Sequence, residues 1–406
     1  MEEPAIKQLL EARVSRARVK QLLIDLVRVP SPQTALLEEE PLLKEFVAKA
    51  VEPRLRAMGF TDIRRDAMGN LIAAHGSGFS GKSLMLIGNA MNQPASTMPN
   101  PYAADVVDGA KYGLPGECVM GKGASEQKAN LAAMLHAMEV VIASAAPMTG
   151  RLIFCCCLSG ETGKHDAIRS VVESAGVRAD MAVLGGTGLM ITLGNRGRID
   201  VFVTVRGSPC HSSRPWDGAN AITGATEAIR LLLEQVDLSR AHPELGRQSL
   251  TVNHIRSFPD STHTVQERCE FTLDRRLLPG EDPDQAFAEI ERIARQVESF
   301  KDPVSGRSYA VEVRRGPFMY PSLVGIESPI VRALLRASEV MLGRPAQTHY
   351  SPAAFDQGYL NHVGIPTANF GPGEHQYAHT DNDMASVERS TDAARVYAFM
   401  ILNQLT

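Results

Sequence analysis

At Arg196 the sequence changes its texture, and after Gly316 it changes back. Between those points apolar alternation and helical spacing predict, in order, a strand at 198–207, a helix at 219–235, strands at 250–255 and 268–273, a helix at 283–297 and a strand at 309–313. This β-α-β-β-α-β order is that of the split-βαβ, or ferredoxin-like, α+β domain. On either side the pattern is different. Short apolar runs at 70–74, 84–87, 152–157 and 181–184 alternate with helical segments at 126–144 and near 166–175, and helices return at 330–341 and 390–403. Helical spacing at 6–27 and 42–58 adds two helices before the first strand. Such alternation predicts an α/β domain with a mixed, largely parallel sheet covered by helices on both faces. The expected organisation is therefore a discontinuous catalytic domain, 1–195 and 317–406, with a domain inserted at 196–316.

A chain of 406 residues with 44% hydrophobic content can bury cores for both. Its 42 basic and 46 acidic residues are interspersed, without a cationic run that would track a phosphate backbone or an anionic membrane, so no nucleic-acid or membrane partner is expected. Charges throughout the first thirty residues argue against a signal peptide, and the reading is cytoplasmic. Of six cysteines, Cys155, Cys156 and Cys157 are consecutive in a strand-like run, where neighbours face opposite ways; reduced, buried thiols are expected.

Three segments carry side chains suited to chemistry. Gly121 to Leu135 is a tight glycine turn feeding a helix and places Glu126 near a helix start, although a plain turn and cap is the commoner meaning of such a pattern. Ser159 to Gly163 follows a buried strand and puts Glu161 at a carboxyl end, where open α/β sheets place ligands; a solvated acid at a helix start fits equally well. Phe370 to Asp383 offers Glu374, His375, His379, Asp381 and Asp383 after a glycine-proline turn, a composition suited to zinc or manganese. In the central region His211 lies in a turn between strand and helix, and Arg276 ends a strand; arginine suits bidentate capture of a carboxylate, with a surface ion pair as the alternative.

Taken in order around an inserted sandwich, and together with Val27 to Pro32, these segments resemble the metallo-aminoacylase and carboxypeptidase family, which includes acetylornithine deacetylase, succinyl-diaminopimelate desuccinylase and glutamate carboxypeptidase. The resemblance spans nearly the whole chain and implies two divalent metals, a glutamate general base, and a dimerising inserted domain. The departures from that pattern are specific. Asn89 stands at the first histidine ligand and Met91 at its orienting acid; Glu126 replaces the bridging aspartate; Gly160 stands at the general base, and Gly186 at a further acid. What remains is one mononuclear site of Glu126, Glu161 and His379, holding manganese or zinc, with cobalt as a third option. In a register shifted by one, Glu161 would be the base instead. The resemblance also implies that His211 stabilises an oxyanion in a partner's active site, that Arg276 binds the substrate carboxylate, and that His263 and Asn89 line the pocket.

The function expected on this basis is hydrolysis of a C–N bond in a small carboxylate-bearing molecule with water activated on a single metal. Loss of the glutamate base would forfeit about 10²- to 10⁴-fold, which an unusually electrophilic substrate would tolerate. Nitroanthranilate aminohydrolase, a family member that exchanges an aromatic amine for hydroxyl, supplies such a case. The alternatives are a non-catalytic binding protein on the same fold, and an amidohydrolase or peptidase with replacement ligands such as Asp105, His165 or His375. A homodimer or an assembly of dimers is expected.

Overall fold

The computed structural model describes residues 1–33, 41–78, 81–160 and 163–406. The chain divides into two compact units, one of Met1–Gly194, Leu323–Tyr350 and Tyr359–Thr406, the other of Asn195–Ser322 and Ser351–Gly358. The expected 196–316 segment falls inside the second unit, which also takes in the short return 351–358.

The first unit is built on a mixed sheet. Its centre is four parallel strands in the spatial order Arg151–Cys157, Ser83–Asn89, Met181–Thr187, Thr367–Gly373. These are short, almost wholly buried apolar runs, as parallel strands covered on both faces must be. Antiparallel strands flank them: Leu71–His75 and then Asp62–Arg65 on one side, Ile191–Asn195 on the other. Helix Ala129–Ala143 is buried along nearly its whole length, and it packs against helix Val387–Leu405. Because the four central strands run the same way, their carboxyl ends at Asn89, Cys157, Thr187 and Gly373 share one edge, the edge at which such sheets bind ligands.

The second unit is an antiparallel sheet in the order Ser249–Phe258, Arg268–Leu277, Gly197–Arg206, Ala310–Met319, with helices Ala221–Gln235 and Pro283–Ala294 packed on it. Numbered along the chain, the strands lie 2-3-1-4, the split-βαβ arrangement. Its core is its own, from Ile199, Val201, Val203 and Val205 to Phe271, Leu273, Ile290 and Ile293.

Several elements depart from the expected ones for local reasons. The helical stretch at 6–27 is two helices, Glu3–Arg13 and Arg16–Val27, because the Ser15 hydroxyl accepts the Arg18 N–H and starts the second. The 42–58 helix carries a π-type turn at Val47–Val51, just ahead of Pro53, which has no N–H to give to the preceding turn. The long segment 93–118, punctuated by Pro, Asn, Asp and Gly, nonetheless contains strand Asp105–Asp108, which with Glu117–Met120 and Met384–Ser386 forms a separate three-stranded sheet. Strand Thr367–Gly373 was hidden by its own Gly371, Pro372 and Gly373. All six cysteines are free, and five are buried. Burial pushes the Cys155 thiol up to about 12, which leaves no reactive thiolate there. No helix among the described residues is long and apolar enough to cross a membrane.

Candidate active site

Glu126 sits on a π-type turn, Ala124–Lys128, that precedes helix Ala129–Ala143. The turn is entered through Gly123 in the left-handed region (φ 85°), where a Cβ would come within 2.5 Å of the Asn92 side chain. Asp383 ties it down: its carboxylate accepts the Gly123 N–H at 2.7 Å and the Ser125 N–H at 2.8 Å. Burial raises the Asp383 pKa, and these backbone donors oppose that rise. From the other side the Glu374 N–H donates to the Ser125 carbonyl at 2.6 Å. The end of strand Thr367–Gly373 and the turn bearing Glu126 are thus stitched together.

This stitching brings His379 to Glu126. The imidazole Nε2 lies 3.1 Å from a Glu126 carboxylate oxygen, with the histidine side chain 54% and the glutamate 23% exposed. His379 itself is held at φ 63°, an uncommon conformation for a residue with a Cβ and one that clusters at functional sites. Lys122, buried although far from it in sequence, donates to the carbonyl of the adjacent Thr380 at 3.0 Å. Lys128 is also buried; its ammonium donates to the Val29 carbonyl at 2.8 Å, and burial lowers its pKa to about 7. Both lysines brace the backbone around the pair.

Glu161 lies outside the described residues. Among the described residues no group of three His, Cys, Asp or Glu could hold a metal ion. The proposed replacement ligands are dispersed: His165 is buried against the Tyr359 ring, Asp105 is exposed on a strand of the small sheet, and His375 is exposed. Glu374 is buried with Arg389, their atoms 2.6 Å apart, and burial outweighs that pairing, pushing its carboxyl up to about 7. Asp381 bonds the Thr97 hydroxyl.

The glycines at the expected acid positions are enclosed. A Cβ on Gly160 would stand 2.1 Å from the Asn89 amide nitrogen, and one on Gly186 would stand 2.9 Å from the Phe370 backbone nitrogen. Asn89 closes its strand almost buried, and its Oδ1 finds no hydrogen-bond partner among the described residues. Asn130, one helical turn beyond Glu126, fills the space around Gly186: its amide donates to the Gly186 carbonyl at 3.0 Å and accepts the Gly186 N–H at 3.1 Å. Met91 lies in the apolar core. Asn130 was not singled out from the sequence, although its i, i+4 spacing from Glu126 is a readable signal.

In the second unit His211 and His263 are neighbours. His211 bridges to Thr264, and the Ser212 N–H donates to the His263 carbonyl at 3.0 Å. The Ser213 backbone N–H donates to His211 Nδ1 at 3.2 Å, which makes Nδ1 an acceptor and assigns the proton of the neutral ring to Nε2. Arg276 is elsewhere. It ends strand Arg268–Leu277, eight residues beyond Arg268, so that at the usual rise it lies about 27 Å along the strand from the histidine end. Its Nε and Nη2 grip Asp274 at 2.7 and 3.1 Å, and Asp274 also faces Arg198 at 3.3 Å. Any anion bound by Arg276 would therefore have to use Nη1 or displace Asp274.

Residues 193–300 match the peptidase dimerisation domain. Over 98% of both chains the sequence is 26% identical to YgeY of Escherichia coli K12, an uncharacterized protein. It is 25% identical to the succinyl-diaminopimelate desuccinylase of Corynebacterium glutamicum over 91% of this chain and 92% of that one. These matches support the metallo-aminoacylase and carboxypeptidase family that the sequence resembles. Solved structures share the family fold end to end. The M20 family metallo-carboxypeptidase of Sulfolobus solfataricus superposes with TM-score 0.76 at 17% identity, covering 94% of this chain and 97% of its own. Human carnosine dipeptidase 1 superposes with TM-score 0.72 at 16% identity over 99% of each chain. In this fold Gly160 and Gly186 are not bare gaps: the Asn89 side chain and the Phe370 backbone occupy the space that acids there would need.

Proposed function

We propose that the chain is a metal-dependent hydrolase that cleaves a C–N bond in a small carboxylate-bearing molecule, using one divalent ion rather than two. The observation that carries this reading is the Glu126–His379 pair at 3.1 Å, held by a buried capping aspartate and a strained histidine backbone. A carboxylate and an imidazole are donors suited to zinc or manganese, with cobalt as a third option, and Glu161 is assigned as the further ligand by its place after strand Arg151–Cys157. An ion bound there supplies Lewis-acid polarisation and acidifies water. The remaining work falls to side chains. His211, with its proton on Nε2, donates to the oxyanion; Arg276 binds the substrate carboxylate; Asn89 and His263 shape the pocket.

Because Arg276 lies about 27 Å along its strand from Arg268, the end near which His263 and His211 sit, a single copy does not offer both to one small substrate. A homodimer in which His211 comes from the second copy resolves this, and it accords with the dimerisation domain at 193–300. The protein is assigned to the cytoplasm, where its buried free thiols stay reduced. An aromatic amine ortho to a carboxylate, as in the nitroanthranilate type, is the specific substrate proposed, since the ring's electron demand offsets the missing base. A second reading is favoured by the filled glycine sites: a binding protein that has kept the carboxylate pocket without catalysis.

The test is amine release by chelator-stripped protein reloaded with manganese, zinc or cobalt, offered N-acyl amino acids and nitro-substituted aminobenzoates, beside Glu126→Ala and Glu161→Ala. Metal-restored turnover that falls at least 10²-fold in both variants is the expected result. Metal binding without turnover on either panel selects the binding protein.

A further inference from the structure

We infer that Arg198 is a positioning residue for the carboxylate site of Arg276: it keeps Asp274 paired when an incoming carboxylate takes Arg276. The inference rests on the reading of Arg276 as the group that binds the substrate carboxylate. In the antiparallel sheet of the second unit Arg276 lies directly opposite Arg198, and Asp274 directly opposite Asp200. Alternate residues of a strand share a face, so the four side chains stand together on one face, in two adjacent rows. Opposed side chains of this kind have Cβ atoms about 4.5–5.5 Å apart. Ser249 and Met319 extend the first row, and Thr251 lies opposite Asp274 in the second. None of these three carries a charge, which leaves Arg198 to serve Asp274 within the two rows, among the described residues.

The four groups form a chain of contacts. Asp200 accepts from Arg198 Nε and Nη2 at 2.8 Å each, a two-point grip that fixes the guanidinium plane. Arg198 Nε also lies 3.3 Å from Asp274 Oδ2. Arg276 donates to Asp274 Oδ1 through Nε at 2.7 Å and to Oδ2 through Nη2 at 3.1 Å. Asp274 therefore touches two guanidiniums, and Arg276 holds it more closely. The Asp274 side chain is only 11% exposed, against 33% for Arg198 and 29% for Arg276.

That difference in exposure sets the energetics. The arginines are open enough to meet a ligand, whereas Asp274 is nearly enclosed, and an enclosed carboxylate stripped of its cation is strongly destabilising. Bidentate capture of a substrate carboxylate on the Nε edge of Arg276 requires Asp274 to yield that edge. Were Arg276 its sole partner, the displacement would leave Asp274 unpaired. With Arg198 at 3.3 Å, Asp274 gives up one guanidinium and keeps the other.

Two measurements on the full chain test this. Thermal melts of Arg198→Met, Arg276→Met and the double variant form a cycle. The double variant should lose clearly more than the sum of the single losses, since Asp274 then has neither guanidinium, and the excess should vanish when Asp274→Asn is added to every member. Calorimetric titration with benzoate, which has a carboxylate and no C–N bond to cleave, supplies the second. Arg198→Met should weaken benzoate about ten-fold, Arg198→Lys should restore most of the affinity, and Arg198→Met/Asp274→Asn should bind at least as well as the wild type. Additive melts, or wild-type affinity in Arg198→Met beside a loss in Arg276→Met, would overturn the role of Arg198 alone. No benzoate binding by the wild type, or unchanged affinity in Arg276→Met, would instead overturn the reading of Arg276 on which that role rests.

Discussion

Glu374 and Gly186 show how single residues set the limits of this site. Burial holds the Glu374 carboxyl near 7 in the folded chain against 4.5 as its ordinary value. With the folded value raised, its contribution to stability is complete below about pH 4.5 and is lost as pH climbs through about 7. Urea midpoints of the wild type and Glu374→Gln should therefore diverge over that window, the wild type losing of the order of 3 kcal/mol relative to the variant; parallel curves would remove the burial argument. Gly186 tests the closed acid position. Gly186→Asp, which would restore a ligand type, meets the Phe370 backbone and should cost about 3 kcal/mol without gaining metal, as thermal melts and metal titration would reveal.

At the scale of elements, the turn Ala124–Lys128 depends on Asp383. Asp383→Ala leaves two buried N–H groups without acceptors, at about 1–3 kcal/mol each. The expected outcome is a lower melting temperature together with weaker metal affinity, whereas a Thr380→Ala change next to His379 should leave affinity near the wild-type value. The alternation of short apolar runs with helices made the parallel sheet legible, and the β-α-β-β-α-β order made the second unit legible, because hydrophobic period is set by the fold. Strand Thr367–Gly373 was not legible. Gly371 and Gly373 make room for Asn130 and for the Ser125 carbonyl, so glycines that read as a turn are there for close packing. Glu126, His379 and His211 could be found because they stand at turns after recognisable elements. Lys122 could not, since its importance lies in its contact with Thr380, far away in the chain, and Asn130 was missed although its spacing from Glu126 is readable.

For the whole molecule, the distance of Arg276 from the end of strand Arg268–Leu277 near His211 predicts that the proposed catalysis needs two copies. His211→Ala and Arg276→Ala proteins, each inactive alone, should regain roughly a quarter of wild-type activity when co-refolded, because half the dimers are hybrids with one intact site in two. No regain would place both residues' roles within one copy. The central claim, that this scaffold works with one ion, is tested most directly by metal content per chain after stripping, reloading with zinc or manganese and removal of excess. One ion per chain, lost in Glu126→Ala/His379→Ala, is the expected result; two ions per chain, or one that survives in the double variant, would contradict it.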